Sequence, residues 1–284
     1  MLTKILLAAT AAALVAACGS TDGDAAAEAT PEPTPAQTSA EASDETSGGP
    51  TAQAVDGTLC SEAGVATDEP PPQDSEGFDG LTVYVVEQPV DDTLIVDPSI
   101  ICSIRSTVSG DVVVNEGGRA LAVVDPGGVV TGDIRVSGLG RLAGLGIQDG
   151  MSDEAGTPTL EGDLLCDECS GVFALPGVIQ GSVDVVGTPT GGQTEFNGAT
   201  ISGDVSIVDS SGGGFVDDEP TGPLLANSDV AGSVTVTGSF GRSPVLDGTT
   251  IGGDLSCDGN SPEPIGTGVT VGGTASGQCE GFGG

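Results

Sequence analysis

The chain contains no histidine and no tryptophan, one tyrosine and six phenylalanines. Without histidine, Ser-His and Cys-His nucleophilic machinery is absent in its usual form. Such a scarcity of aromatics suits a compact globule of 284 residues poorly, whereas a solenoid core can be built from stacked Val, Ile and Leu columns. Basic residues are almost as rare. Lys4 is the only lysine, and the arginines are Arg105, Arg119, Arg135, Arg141 and Arg242, against 42 acidic side chains and a formal charge of −36. Nucleic-acid binding needs a basic footprint and is excluded, as is charge-driven binding to an anionic bilayer. In so acidic a chain each arginine is expected to pair with a nearby carboxylate. The apolar run at 5–15 is too short for a good transmembrane anchor.

What the chain has in abundance is glycine, 48 residues, and much of it is periodic. A short phrase keeps returning: apolar, any residue, Gly, Asp or Ser, apolar, any residue, apolar. Its Gly-Asp or Gly-Ser core occurs at Gly110-Asp111, Gly132-Asp133, Gly162-Asp163, Gly181-Ser182, Gly203-Asp204, Gly232-Ser233 and Gly253-Asp254, with a degenerate copy at Gly272-Gly273. The intervals are 22, 30, 19, 22, 29, 21 and 19 residues. A period near 20 marks a solenoid. Within each copy the apolar residues alternate, as at Ile201, Val205 and Ile207, which predicts short strands with one set of side chains pointing inward. Gly and Asp are expected at the corner, where a left-handed or otherwise strained backbone costs them little. The pattern predicts an all-β, right-handed parallel β-helix of about eight coils of ~20 residues. Left-handed β-helices run on a strict hexapeptide, which is not sustained here. The two long intervals carry acidic, turn-rich insertions, 150–159 and 212–223, expected as loops.

The chain divides into four parts. Residues 1–17 read as an export signal, with Lys4 ahead of the apolar run and small residues after it. Residues 18–58, rich in Ala, Thr, Ser, Pro, Glu and Asp, are an acidic tether that buries too little to fold and spans ~35 Å on average. Residues 59–107 read as an N-terminal cap, with strands at 81–86, 93–96 and 100–104 around the Pro-rich turn at 69–72. Such a cap covers an open sheet edge. Residues 108–284 hold the repeats and a closing tail. The signal ends in Val15-Ala16-Ala17-Cys18, which resembles the lipobox of bacterial lipoproteins. The resemblance implies diacylglycerol on Cys18, cleavage before it, acylation of the new N-terminus, and membrane anchorage in a bacterial cell envelope. Gly19 follows the cysteine, not Asp, which implies the outer membrane where two membranes are present.

Six cysteines remain besides Cys18, an even number that reads as disulfides in an oxidising compartment. Six allow 15 pairings; nearness in sequence suggests Cys60–Cys102, Cys166–Cys169 and Cys257–Cys279. Cys166-Asp167-Glu168-Cys169 follows a strand and is flanked by carboxylates, which favours a local structural bond over a redox dithiol or half a zinc site. The stretch 253–262 with Gly277-Gln278-Cys279 resembles a C-terminal module of exported β-helix-like bacterial proteins, and this resemblance implies no chemistry.

If the register holds, Asp111, Asp133, Asp163, Asp204 and Asp254 share one column with Ser182 and Ser233. The first reading is a turn cap that accepts amide hydrogen bonds, with Ser substituting for Asp; a calcium ladder is the alternative. The β-roll nonapeptide does not match, because its period is 9. Paired carboxylates at Asp217-Asp218 and Asp153-Glu154 are the candidates for acid–base chemistry on a polysaccharide, though solvated loops are the first reading of both. The sequence therefore points to a structural or interaction module rather than an enzyme. It has no resident cofactor, unless calcium, and its partners are the membrane through Cys18 and an envelope protein or cell-wall polymer. Alternatives are a polymer-forming scaffold resembling the bactofilins, whose short β-helices stack end to end, and an exported polysaccharide lyase or hydrolase.

Overall fold

The computed structural model describes residues 55–68, 80–114, 119–138, 140–145, 156–174, 176–213, 215–216 and 219–283. They form 28 strands and one single-turn helix, Cys60–Ala63. Three long sheets hold all the strands except an antiparallel hairpin of Phe215–Val216 with Glu219–Pro220.

Sheet I has ten strands: Thr58–Leu59, Leu94–Val96, Val112–Val114, Ile134–Ser137, Leu164–Asp167, Val183–Val186, Val205–Val208, Val234–Thr237, Leu255–Asp258 and Ala275–Gly277. Sheet II has eight, from Val65–Thr67 through Thr82–Val86, Ile100–Ile104, Ala120–Val124, Gly140–Leu145, Gly171–Ala174 and Gln193–Asn197 to Leu224–Ala226. Sheet III has eight two-residue strands, from Thr107–Val108 to Thr270–Val271. Val65–Thr67 runs antiparallel to Thr82–Val86. The other pairings in the three sheets are parallel. From Leu94 onward the chain visits sheets I, II and III in turn and returns. In the last two circuits sheet II narrows to single bridges at Val245 and Ile265. This arrangement is compatible with a parallel β-solenoid. At ~4.8 Å per strand, sheet I extends about 43 Å.

The sequence forms these strands because alternate residues stack in register. Ile134, Leu164, Val183, Val205, Val234 and Leu255 make one inward column, and Val136, Cys166, Val185, Ile207, Val236 and Cys257 the next. All are at most 2% exposed. Sheet III adds Val108, Val130, Leu160, Ile179, Ile201, Val230 and Ile251. β-branched side chains fit these columns because their restricted χ1 matches a pleated surface.

Residues 59–107, expected as a cap, contribute strands to all three sheets. Leu94–Val96 pairs in register with Val112–Val114, and Ile100–Ile104 with Ala120–Val124. The Cys60–Ala63 turn and the antiparallel Val65–Thr67 are what differ from the repeating pattern. The Pro-rich turn at 69–72 lies outside the described residues, as do the signal, Cys18 and nearly all of the tether.

Candidate functional site

The Gly-Asp/Ser phrase lies at the corner before seven of the ten strands of sheet I, from Val112–Val114 to Leu255–Asp258. There one side chain per coil accepts the amide of its counterpart in the next coil. The N–H of Asp133 donates to Asp111 Oδ1 at 2.9 Å, that of Asp163 to Asp133 Oδ1 at 3.0 Å, and that of Ser182 to Asp163 Oδ1 at 2.7 Å. Asp204 N–H donates to Ser182 Oγ at 3.2 Å, and Ser233 N–H to Asp204 Oδ1 at 2.7 Å. Asp254 N–H donates to Ser233 Oγ at 3.1 Å, and Thr274 N–H to Asp254 Oδ1 at 2.7 Å. Each such bond satisfies a corner amide that no strand partner reaches and is worth roughly 0.5–1.5 kcal/mol. Ser can stand in for Asp because only one acceptor oxygen is needed, at the slightly longer distances of 3.2 and 3.1 Å. The last copy is Gly273-Thr274, one residue later than the Gly272-Gly273 expected, as the 20-residue separation of Thr274 from Asp254 shows.

The corner glycines are there for a different reason than a left-handed backbone. None of Gly110, Gly132, Gly162, Gly181, Gly203, Gly232 and Gly253 has a positive φ. They sit where consecutive coils touch. A methyl group on Gly132 comes within 2.6 Å of the Gly110 carbonyl oxygen, and one on Gly232 within 2.5 Å of that of Gly203. The left-handed backbone is at the opposite flank of sheet I, at Gly138, Glu168, Gly187, Asp209, Gly238 and Gly259. Glu168 and Asp209 show that a side chain is tolerated there.

Just past that left-handed position lies a second column, absent from the sequence reading. Cys169, Thr188, Ser210, Ser239 and Asn260 are at most 5% exposed. Thr188 N–H donates to Ser210 Oγ at 3.4 Å, and Ser239 N–H to Asn260 Oδ1 at 3.0 Å. The acceptor here belongs to the later coil, the reverse of the Asp/Ser ladder. Asn260 also donates to the Val236 carbonyl at 2.8 Å. The signal was available: each of these residues stands six positions after the repeat Asp or Ser.

The three cysteine pairs are disulfides, Cys60–Cys102, Cys166–Cys169 and Cys257–Cys279. Two arginines show their carboxylate partners. Arg135 reaches Asp133 Oδ2 at 2.6 Å and Asp111 Oδ2 at 3.5 Å, bridging two rungs of the ladder. Arg105 Nε donates at 2.9 Å to Asp125 Oδ2, which also accepts from Ser103 Oγ. Asp125 is 4% exposed, a buried acid held by two donors. Arg119 and Arg141 border or lie on sheet II, and Arg242 precedes its bridge at Val245. Insertion 212–223 forms a hairpin between sheets I and II. The acid–base candidates Asp217, Asp218, Asp153 and Glu154 lie outside the described residues.

The column of Asp111, Asp133, Asp163, Asp204 and Asp254 is thus brought together in register, with one oxygen of each committed to an amide. Among the described residues no group of three or more His, Cys, Asp or Glu is placed to hold a metal ion. Among the same residues no helix is long and apolar enough to cross a membrane. One consequence is measurable. Asp204→Ala leaves the Ser233 amide without its acceptor and is expected to cost about 1 kcal/mol, whereas Asp204→Asn keeps the oxygen and costs a small fraction of that. Urea melts of the two variants decide it; equal losses would remove the acceptor role.

Compared with known proteins, the chain matches no family model, and neither a curated protein nor a solved structure matches it.

Proposed function

We propose that this chain is a lipid-anchored protein of a bacterial cell envelope that acts as a structural or interaction module, without catalytic activity of its own. In this reading a right-handed parallel β-helix stands off the membrane on the acidic tether, joined through the acyl groups on Cys18. The handedness follows from the rule that crossovers between parallel strands of one sheet are right-handed. The observation that carries the reading is the Asp/Ser ladder. The repeated corner residues build the stack, as expected where selection acts on the shape of an extended surface. Three disulfides suit the oxidising, exported environment that the signal implies. The stack's faces then serve an envelope protein or cell-wall polymer.

The test is fractionation of cells expressing the full chain. The native chain is expected in the membrane fraction and extractable only with detergent, because two or more acyl chains anchor stably. Cys18→Ser is expected to abolish acyl labelling and signal cleavage at that position. A native chain that carries no acyl group and stays soluble would overturn the anchor.

A further inference from the structure

The buried polar column of Thr188, Ser210, Ser239 and Asn260 has one rung unlike its neighbours. Where consecutive coils meet along this column, two bonds recur. Thr188 N–H donates to Ser210 Oγ at 3.4 Å, and Ser211 N–H donates to the Thr188 carbonyl at 2.9 Å. Ser239 N–H donates to Asn260 Oδ1 at 3.0 Å, and Ser261 N–H donates to the Ser239 carbonyl at 2.8 Å. The rung between these two would repeat the pattern, with Ser210 N–H on Ser239 Oγ and Phe240 N–H on the Ser210 carbonyl. Neither bond is made. Among the described residues Ser239 Oγ, the N–H and carbonyl of Ser210 and the N–H of Phe240 have no hydrogen-bond partner. Ser210 and Ser239 are both 0% exposed. The gap is closed on either side. Before it Asp209 N–H donates to the Thr237 carbonyl at 2.9 Å, and after it Gly222 N–H donates to the Ser243 carbonyl at 3.0 Å. It falls where the insertion 212–223 leaves the stack.

Buried amides are almost always paired, with protein or with ordered water, and four unpaired groups around one rung call for a ligand. We propose that this rung binds a single water molecule, which takes the place of the two direct bonds. The set of groups selects it. A water accepts from Ser210 N–H and Phe240 N–H and donates to the Ser210 carbonyl and Ser239 Oγ, which uses all four of its hydrogen-bonding directions. A cation would face two N–H groups. An anion would face a carbonyl oxygen, in a protein of formal charge −36. A bridging water is nearly as favourable in enthalpy as a direct bond. Here it lets the earlier coil turn outward into the insertion while the later coil continues unbroken, so that the stack carries a loop without leaving amides unpaired. The inference goes beyond the proposed function and does not depend on the anchor.

NMR of the full, oxidised, nitrogen-15-labelled chain tests it. Cross-peaks from water protons to the Ser210 and Phe240 amides are expected, with opposite signs in laboratory-frame and rotating-frame Overhauser spectra, the signature of a long-held water. The Ser239 hydroxyl proton exchanges with solvent and can imitate such a peak, so Ser239→Ala is the necessary variant. In it the cross-peaks are expected to persist, because three partners of the water remain. Its melting temperature is expected to fall by about 2–4 °C, the scale of one lost hydrogen bond. Circular dichroism shows that the variant keeps the fold. Four results would each overturn the proposal. They are a native chain without these cross-peaks, their loss in Ser239→Ala, a variant that melts at or above the native chain because an orphan hydroxyl has been removed, and a scalar coupling across a direct bond from Phe240 N–H to the Ser210 carbonyl.

Discussion

Replacing Gly203 with alanine is expected to lower stability by about 3 kcal/mol. The added methyl group meets the Gly181 carbonyl oxygen at 2.6 Å and presses on Ser182 Oγ, the acceptor of the ladder bond at that corner. Ser182 Oγ can rotate only by giving up the ladder bond, and the Gly181 carbonyl cannot yield. Gly181 is backbone held between coils, with the Gly203 N–H donating to its carbonyl at 3.0 Å. A lost fit of this kind lowers the melting temperature by roughly 6–12 °C in a domain of this size. Gly281→Ala is the matched control. A methyl group there meets nothing within 4 Å, and its φ is not positive. It should melt at or slightly above the native chain, since restriction of the unfolded chain contributes about 0.4–1 kcal/mol and does so alike in both variants. A Gly203→Ala variant as stable as Gly281→Ala would mean that the coils are spaced differently.

Removal of the disulfides should follow loop length. If a bond stabilises by restricting the unfolded chain, the 42-residue separation of Cys60 and Cys102 corresponds to about 4 kcal/mol, the 22 residues of Cys257 and Cys279 to about 3.4, and the three of Cys166 and Cys169 to about 1.6. Location then separates the first two in a measurable way. Cys60 joins the Cys60–Ala63 turn to a buried strand of sheet II, and Cys279 joins the closing tail to the core column of sheet I. In a stack where each coil contacts only its neighbours, loss of either bond frays one end first. Double Ser variants should lower the melting temperature in the stated order. Hydrogen exchange should show new openings near 58–67 in one case and 270–283 in the other. Equal losses for all three pairs would exclude the loop-entropy account.

Much of the fold was legible because the stack is built from a repeated corner. The Gly-Asp/Ser phrase located eight of the sheet I strands, and the register that places Asp111, Asp133, Asp163, Asp204 and Asp254 in one column followed from it. Nearness in sequence suggested the disulfide pairs because partners within one coil, as Cys166 and Cys169, or in adjacent coils, as Cys257 and Cys279, are also close in the chain. The phrase failed where its chemistry changed. At Leu94–Val96 the corner is Asp92-Thr93, so the strand was recognised but not its membership of the same sheet. Sheet III was invisible as a sheet because its strands have two residues, too few for any period. Sheet II lost its alternation for a physical reason. Ile100–Ile104 and Ala120–Val124 are buried on both faces, with Val83, Val85, Ile101, Leu121 and Val123 in a cluster separate from the main core. The reason for the corner glycines was also out of reach, since clearance between coils depends on where the preceding coil runs.

Hydrogen exchange at the ladder amides, followed by NMR with and without millimolar calcium, bears most directly on the role of the repeat. The amides of Asp133, Asp163, Ser182, Asp204, Ser233 and Asp254 are predicted to exchange as slowly as those of the adjoining strands, and calcium is predicted to leave their rates and chemical shifts unchanged. Rapid exchange at these positions, or protection that appears only with calcium, would contradict the assignment of the column to holding one coil on the next.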